Sequence, residues 1–372
     1  MVGVRMVCNG KAVAALTAVF VVCAGVVSPA AASGREEAHQ VPAVYVFGDS
    51  TVDVGNNQYL PGNAALQLPY GIDFPQSRPT GRFSNGFNVA DSISRLLGFK
   101  RSPPAYLSLT PETSRQIVRG YRGVNYASGG SGILDTTGNT LTLTKQVEYF
   151  AATKSKMTEK SPGIDALLSK SLFLISDGGN DFFAFLRQNL TASDAPSFYA
   201  DMLTNYTKHV QTLYQLGARR FGIVDVPPIG CVPAVRVTSP DGETACVEAA
   251  NALARGFNDA LGKAMARLAA ALPGMRYSVG SSYNLITFIT VHPQAAGFKD
   301  VASACCGGGR LGAQTWCGAP NATYCADRND NVYWDEVHGT QATSSKGAKA
   351  IFAAPVKLGF AAPINFKQLV SS

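Results

Sequence analysis

The stretch Val44-Tyr45-Val46-Phe47-Gly48-Asp49-Ser50-Thr51 decides how the rest of the chain is interpreted. Its first four residues are β-branched or aromatic, which favours an extended strand. Because no polar residue interrupts them, we expect both faces of this strand to be buried, as in a parallel sheet. Gly48 ends the strand, and two small polar residues follow it. Open α/β sheets bind their ligands at the carboxyl ends of strands, so Ser50 is our candidate nucleophile.

After this stretch, the sequence alternates between short apolar runs and longer segments of helical periodicity. We predict further strands at 123–126, 172–175, 220–226 and 275–279, and helices at 87–97, 143–150, 195–216, 247–272, 283–290 and 343–352. Alternating strands and helices indicate a parallel sheet that is covered on both faces. We therefore predict an α/β fold, a three-layer α/β/α sandwich with a mostly parallel sheet of about five strands. No linker divides residues 33–372, which we expect to form a single domain.

The N-terminal residues 1–32 have the composition of a secretory signal peptide. Arg5 and Lys11 give a basic start, Ala12–Val27 is a run of apolar and small residues plus one threonine, and Ala30–Ala32 supplies a cleavage site. The apolar run is short for a membrane span. We expect cleavage near Ser33 and export to the cell wall, with retention in the Golgi lumen as the alternative.

The overall composition narrows the class of protein further. The 372 residues are 46% hydrophobic and 15% charged, which is typical of a globular chain. The formal net charge is +7, but no Lys/Arg cluster stands out in the sequence, which argues against a nucleic-acid partner. No later segment approaches 18 apolar residues, so we predict no stable membrane span after the leader.

Six of the eight cysteines lie beyond the leader. An even number in an exported chain predicts three disulfides. We favour Cys231–Cys246, with the other four pairing among themselves. A zinc site within 305–325 is the alternative, which the absence of any Cys-x-x-Cys pair disfavours. These cysteines are Cys231, Cys246, Cys305, Cys306, Cys317 and Cys325.

Sequons at Asn189, Asn205 and Asn321 are typical of an exported glycoprotein.

A serine nucleophile needs a base, a group that orients the base, and donors for the oxyanion. Of the four histidines, His338 has an acid three residues before it, Asp335, which one helical turn would bring to the imidazole. His292 lies in a loop and is its competitor. His39 is close to the leader, and His209 falls inside a predicted helix, where packing is the ordinary role.

Oxyanion donors are expected where the second and third strands end. Ser128-Gly129-Gly130 follows the second strand, and glycine allows its N–H to approach a ligand closely. Gly178-Gly179-Asn180-Asp181 follows the third, and Asn180 can donate its side-chain amide. A tight turn and a helix cap are the structural alternatives. Each motif alone is weak, but their common position at strand ends is a stronger signal.

Taken together, these motifs resemble the GDSL or SGNH hydrolases, in particular the plant secreted GDSL esterases/lipases. The resemblance rests on Phe47–Thr51 with Asp53–Asn57, Asn125–Gly130, Gly178–Asp181, Asp335–His338 and Cys305-Cys306-Gly307. It implies that Ser50 is the nucleophile of a triad with His338 and Asp335. It also implies oxyanion donation by Ser50, Gly129 and Asn180, without a cofactor or a metal. The Gly-x-Ser-x-Gly elbow of α/β-hydrolases is absent.

Three positions depart from the family pattern. Thr51 replaces the Leu of the family's name motif, Asp177 stands where plant members more often have an apolar or small residue, and Gly339 stands where Pro is frequent. None removes a catalytic group. Asp177 adds charge near the site, so we expect it to affect substrate preference rather than catalysis.

The resemblance implies a secreted, monomeric serine ester hydrolase, but it leaves the substrate open. Plant members act on lipid acyl esters, cutin precursors or acetylated wall polysaccharides. We favour acetyl esters of a wall polysaccharide such as xylan, with Tyr59, Tyr70 or Trp334 as sugar platforms. The three aromatic residues within Phe182–Phe185 either form a lipid channel or pack a helix onto the sheet. A lipase or cutin esterase, an acyltransferase, and a non-catalytic sugar-binding protein remain alternatives.

Overall fold

The computed structural model describes residues 40–61, 67–188 and 193–371. The predicted leader 1–32, His39 and Asn189 lie outside these residues. Five parallel strands form the centre of the fold, as predicted. They are β1 (Ala43–Gly48), β2 (Arg122–Asn125), β3 (Leu172–Ser176), β4 (Arg220–Val224) and β5 (Arg276–Gly280). All six residues of β1 are buried, which confirms that both of its faces are covered.

Five further strands of the described part of the chain lie outside this parallel set. The last of them pairs antiparallel with β5 and forms one edge of the central sheet. The others form two small sheets, β6 with β9 and β7 with β8. These further strands are β6 (Asp300–Ala304), β7 (Cys306–Gly307), β8 (Thr323–Tyr324), β9 (Asn331–Tyr333) and β10 (Ala361–Ala362).

Helices cover both faces of the sheet and give it two hydrophobic cores. Tyr45 and Phe47 pack with the core that contains α3, α6 and α8, whereas Val44 and Val46 pack with α1, α11 and α12. This confirms the three-layer sandwich. The helices are α1 (Val89–Leu96), α2 (Pro111–Val118), α3 (Leu143–Lys160), α4 (Ile164–Lys170), α5 (Gly179–Arg187), α6 (Ala195–Gln215), α7 (Pro233–Arg236), α8 (Glu248–Ala271), α9 (Ser282–Val291), α10 (Pro293–Ala296), α11 (Gln341–Ala353) and α12 (Phe366–Ser371). No helix among the described residues is long and apolar enough to cross a membrane.

The strand order creates a ligand crevice beside Ser50. The sheet runs β10-β5-β4-β3-β1-β2, so the chain winds in one direction from β1 to β2 and in the other from β3 to β5. Ligands of doubly wound sheets bind at such a switch point, outside the carboxyl ends of the strands. Ser50 follows β1 and Asn180 follows β3, so the two residues flank this point.

Three disulfides close the Cys-rich part of the chain. They join Cys231 to Cys246, Cys305 to Cys325 and Cys306 to Cys317. The predicted Cys231–Cys246 pair is therefore confirmed, and the zinc alternative is wrong because all six cysteines are paired. The N–H groups of Cys305 and Cys306 donate to the carbonyls of Tyr333 and Trp334. The disulfide-bonded segment thus fixes the backbone immediately before Asp335.

The loop between β1 and α1 is tied down by buried polar side chains. The Asp53 carboxylate accepts N–H bonds from Gly55, Asn56 and Gly129 at 2.7–3.0 Å. Arg82 forms a buried bidentate pair with Asp91. These bonds connect the loop to α1 and to the chain after β2, and so fix one wall of the crevice.

Several observed helices were not predicted, and for two of the differences the sequence shows a physical reason. Helix α3 continues to Lys160 instead of ending at Phe150. Its second half is mostly polar and buries only Thr153 and Met157, so its apolar periodicity is too sparse to signal a helix. Helix α2 was likewise unpredicted, because it buries only Ile117.

The buried side chain of Gln146 on α3 clamps the end of β1. Its Oε1 accepts from Gly48 N–H at 2.7 Å, and its Nε2 donates to the Gly48 carbonyl at 2.9 Å. The same Nε2 lies within bonding distance of Ser131 Oγ and the Leu141 carbonyl. One side chain therefore links β1 to the loop that follows β2.

Replacement of Gln146 by leucine is expected to destabilise the fold. Gln146→Leu leaves the buried Gly48 N–H without its partner, whereas the Gly48 carbonyl still accepts from the Ser128 N–H. One unsatisfied buried donor should lower the free energy of unfolding by about 1–3 kcal/mol. Urea titration followed by circular dichroism measures this change. Lys156→Leu, at an exposed position of α3, is the control and should change stability by less than about 0.5 kcal/mol. If the two substitutions lower the free energy of unfolding equally, Gln146 does not stabilise the end of β1.

Candidate active site

Ser50 lies just beyond β1, with only 9% of its surface exposed. Its Oγ is 2.7 Å from Nε2 of His338, although the two residues are 288 positions apart in the sequence. Asp49 beside it is buried, and its carboxylate accepts from the Thr51 N–H and hydroxyl. The departure at Thr51 therefore adds one bond to the turn that carries Ser50, because a leucine would keep the N–H but lack the hydroxyl.

Asp335 contacts the other side of the His338 ring. Its two carboxylate oxygens lie 2.9 and 2.8 Å from His338 Nδ1. The prediction that the two residues are adjacent in space is correct, but the helical turn is wrong. The segment is a bend after β9, in which Asp335 Oδ1 accepts from the backbone N–H groups of Val337 and His338. The Asp335 carboxylate thus stabilises the loop in which it lies and also contacts the His338 imidazole.

A third residue, Tyr70, completes the surroundings of Asp335. Its hydroxyl donates to Asp335 Oδ2 at 2.8 Å, and its ring packs edge-on against Trp334. Both rings are buried, so the expectation that Tyr70 and Trp334 form sugar platforms is wrong. No local sequence pattern signals this bond, because donor and acceptor are 265 positions apart in the chain.

The charges around His338 favour its use as a base near neutral pH. Burial alone would lower the pKa of His338, but the Asp335 carboxylate, Glu336 and Asp49 outweigh burial and raise it. Burial alone would raise the pKa of Asp335, but the charge of His338 and the hydrogen bonds from the loop lower it. The opposite shifts favour an ionised Asp335 beside a His338 that is able to accept a proton.

The two predicted oxyanion donors differ in their surroundings. Asn180 lies in the first turn of α5, where its Nδ2 donates to the Ser131 carbonyl at 2.8 Å. An amide nitrogen carries two protons, so a second one remains for a ligand. Gly129 differs from the expectation, because its N–H donates to Asp53 Oδ2 instead of facing an open site.

Asp177, the acidic departure, is buried at the end of β3. It accepts from Ser131 Oγ and from the Gly178 N–H. Burial, followed by the charges of Asp49 and Asp181, raises its pKa well above the usual value. Burial and the neighbouring acids therefore disfavour the ionised form of Asp177, which its hydrogen bonds to Ser131 and Gly178 hold in the wall of the site.

A cavity of about 160 Å³ extends from Ser50, Asn180 and His338 into the protein. Asp177 lies in its wall, together with side chains that follow β4 or belong to α5, α9 and α11. Most of these are apolar, and they include Phe183, Val226, Val232, Leu285, Ile286, Val337 and Ile351. Of the aromatic residues after Asn180, Phe182 and Phe185 pack into the core, as the helix-packing alternative predicted. Only Phe183 reaches the cavity.

The other residues that the sequence suggested as functional lie away from Ser50 and His338. His292 is exposed at the end of α9 and contacts Phe288, and His209 is buried beside Thr144. Asn205 lies within α6, and Asn321 is exposed in a turn of the Cys-rich segment. No cluster of potential metal ligands occurs among residues 40–61, 67–188 and 193–371.

Comparison with known proteins identifies the family. Residues 44–351 match the family model of the GDSL-like lipases/acylhydrolases. The chain belongs to this family. It is 36% identical to GDSL esterase/lipase At5g55050 of Arabidopsis thaliana, over 89% of this chain and 90% of the relative. It is 37% identical to GDSL esterase/lipase At1g71250 of the same plant, over 89% of each chain. Membership makes this GDSL protein a carboxylic ester hydrolase.

Loss of the Tyr70 hydroxyl should change the pH dependence of this GDSL esterase. The hydroxyl offsets part of the Asp335 charge, so Tyr70→Phe should raise the pKa of His338 further. Activity falls as His338 becomes protonated, so the acid limb of the kcat/KM profile should move to higher pH. We expect kcat to fall about tenfold, because Asp335 is held less firmly. Stopped assays on a short ester across pH 5–9, roughly centred on the usual histidine pKa, measure both effects.

Tyr59→Phe is the matched control, because Tyr59 is exposed. This variant should keep the pH profile of the parent. If Tyr70→Phe lowers only thermal stability and leaves the acid limb in place, Tyr70 has a purely structural role.

Proposed function

We propose that this GDSL esterase cleaves acyl esters through an acyl-enzyme on Ser50. The observation that carries the proposal is the 2.7 Å distance from Ser50 Oγ to His338 Nε2, with Asp335 against the opposite ring nitrogen. His338 takes the proton of Ser50 as Oγ attacks the ester carbonyl. It then returns this proton to the departing alcohol oxygen, so the ester C–O bond breaks as the acyl-enzyme forms. Water repeats the sequence, which releases the carboxylic acid and restores Ser50.

Two groups are suited to bind the oxyanion in this mechanism. They are the second amide proton of Asn180 and the backbone N–H of Ser50. Gly129 was our third donor, but its N–H bond to Asp53 supports a different role for it in the resting enzyme. We assign it to the fixation of the loop that carries Asn57, whose amide donates to the Gly129 carbonyl.

The cavity favours acyl groups longer than acetyl. An apolar protein cavity of about 150 Å³ accommodates a benzene ring, which has six carbon atoms. A cavity of about 160 Å³ with an apolar wall therefore fits a short acyl chain of similar size. The neutral form of Asp177 is compatible with such a chain. We retain acetylated xylan as a candidate substrate, but the apolar wall supports esters of about four to eight carbons, in the range of the cavity volume.

We also propose that the enzyme acts outside the cell. Three disulfides are typical of oxidising compartments. The composition of residues 1–32 is that of a signal peptide. Asn321 is the described sequon with the more accessible side chain, and we expect it to carry a glycan. A sugar-binding role without catalysis is disfavoured, since it would not require the serine, imidazole and carboxylate to be aligned.

Removal of the triad groups should abolish turnover without unfolding the enzyme. Ser50→Ala should eliminate hydrolysis and labelling by a fluorophosphonate. Asp335→Asn should lower kcat on the order of 10⁴, the cost of losing the orienting carboxylate of a triad. His292→Ala is the control and should remain active. If His292→Ala is inactive and His338→Ala is not, the base is assigned wrongly.

Enlargement of the cavity should shift the preferred acyl length. Ile286 lies in the cavity wall on α9, so Ile286→Ala should raise the ratio of kcat/KM for octanoate over acetate esters. The increase should be about fourfold for each further methylene that the larger cavity accepts, from about 0.8 kcal/mol per buried methylene. A ratio between substrates is insensitive to how much of the variant is folded.

Ile289→Ala provides the matched control for this experiment. Ile289 is buried on the same helix but outside the cavity wall, so its loss should leave the ratio unchanged. If both variants show the same ratio as the parent, the acyl chain does not enter this cavity.

A further inference from the structure

A second, larger concave region lies on the surface beyond the β1–α1 loop. Its volume is about 710 Å³, and residues of the stretches 54–59, 74–82, 99–105 and 113–122 line it. We call it the basic cleft, after four exposed cationic side chains in its wall: Arg78, Lys100, Arg101 and Arg122. These residues are scattered in the sequence, and the fold brings them together.

The positive charge of the basic cleft is not neutralised locally. Arg82 also reaches the wall, but its charge is matched by Asp91. None of the four exposed cations forms an ion pair with any residue that the structure describes, and no described Asp or Glu lines the cleft. A concave surface with one sign of charge concentrates its field and attracts ligands of the opposite sign.

Aromatic side chains border the same cleft. Tyr59 and Tyr121 are 56% and 49% exposed, which is unusual for side chains of this size. The Arg122 guanidinium lies 4.6 Å from the centre of the Tyr121 ring, so the two form one flat cationic surface. The cleft therefore offers flat apolar faces and cations side by side.

We propose that the basic cleft binds an acidic polysaccharide, a chain of sugars that carry uronate carboxylates. Each uronate sugar presents an apolar ring face, which suits the tyrosines, and a carboxylate, which suits a planar guanidinium. A concave cleft fits an extended chain better than the flat surface of an anionic membrane. The cleft is separate from the triad, so this binding does not depend on the proposed catalytic function.

The basic cleft shares a wall with the catalytic cavity. Arg78, Thr80 and Arg82 line the cleft, and the next residues, Phe83 and Ser84, line the cavity beside His338. The Phe83 ring is 5.1 Å from the imidazole ring of His338. A polymer bound in the cleft would thus lie alongside the segment that borders the active site.

Affinity electrophoresis of the full-length protein tests the proposal directly. Gels with polygalacturonate should retard the protein, whereas gels with an uncharged dextran should not. The double variant K100E/R101E should bind polygalacturonate at least about tenfold more weakly, since two favourable charge contacts become repulsive. The matched control K263E/R267E changes the same net charge on the exposed face of α8 and should bind like the parent.

A second variant separates recognition of sugars from simple ion exchange. Tyr59→Ala keeps every charge and should still weaken binding several-fold, because stacking on the ring is lost. All variants should hydrolyse p-nitrophenyl acetate at the parental rate, so a failure of binding is distinguishable from a failure of the catalytic proposal.

Three results would overturn the proposal. One is equal retardation of K100E/R101E and K263E/R267E, which indicates attraction by net charge alone. Another is unchanged affinity of Tyr59→Ala. The third is sedimentation of the parent with phosphatidylglycerol-containing vesicles while polygalacturonate fails to retard it, which would make the cleft a membrane contact.

Discussion

The close approach of β1 and β3 at Gly48 is the constraint on which the site depends. Gly48 has a φ of +135°, and a Cβ there would overlap the carbonyl of Ser176. Only glycine permits this backbone to turn out of the sheet at that point. Asp49 N–H then donates to the Ser176 carbonyl at 3.0 Å, and Gln146 holds the Gly48 peptide from α3. The direction in which Ser50 leaves the sheet follows from these contacts.

Hydrogen bonds also fix the Asp335–His338 side of the site, which lies in a loop without regular secondary structure. The loop from Asp335 to His338 has no helix to stiffen it, so its own carboxylate and the hydroxyl of Tyr70 do so. The disulfide-bonded segment supports it from the opposite side through Cys305 and Cys306. Buried polar groups of this kind hold one geometry because each must keep its partner.

The sequence predicted what depends on local pattern and missed what depends on distant partners. Ser50 was found because its motif follows a predicted buried strand, and the ligands of open α/β sheets bind at the carboxyl ends of strands. His338 was found because an acid, Asp335, stands three residues before it. The bond from Tyr70 to Asp335 could not be found, since the two residues are 265 positions apart. The second half of α3 was missed because it buries few apolar residues. The bond between Gly129 and Asp53 was missed because it joins two loops that are distant in the sequence. The expectation of a small acetyl pocket rested on the resemblance alone, and no sequence pattern could reveal the apolar wall that α9 and α11 build together.

The catalytic cavity is lined by acidic side chains near Ser50, whereas the wall of the basic cleft carries cations without an ion pair among the described residues. Burial lowers the pKa of His338, but the carboxyl groups of Asp335, Glu336 and Asp49 outweigh it and raise that pKa, so acidic side chains surround the place where we propose that the ester bond breaks. In the proposed mechanism, hydrolysis converts a neutral ester into a carboxylic acid at that point, and the neighbouring acidic side chains would repel this product once it ionises. The neutral ester experiences no such repulsion on entry. The cations of the basic cleft lie beyond the segment 78–84, where they attract anionic chains toward the surface without entering the cavity. The acidic side chains that raise the pKa of His338 would therefore also favour release of the acid product. Attraction of an anionic polymer is a property of the basic cleft, which is a separate surface.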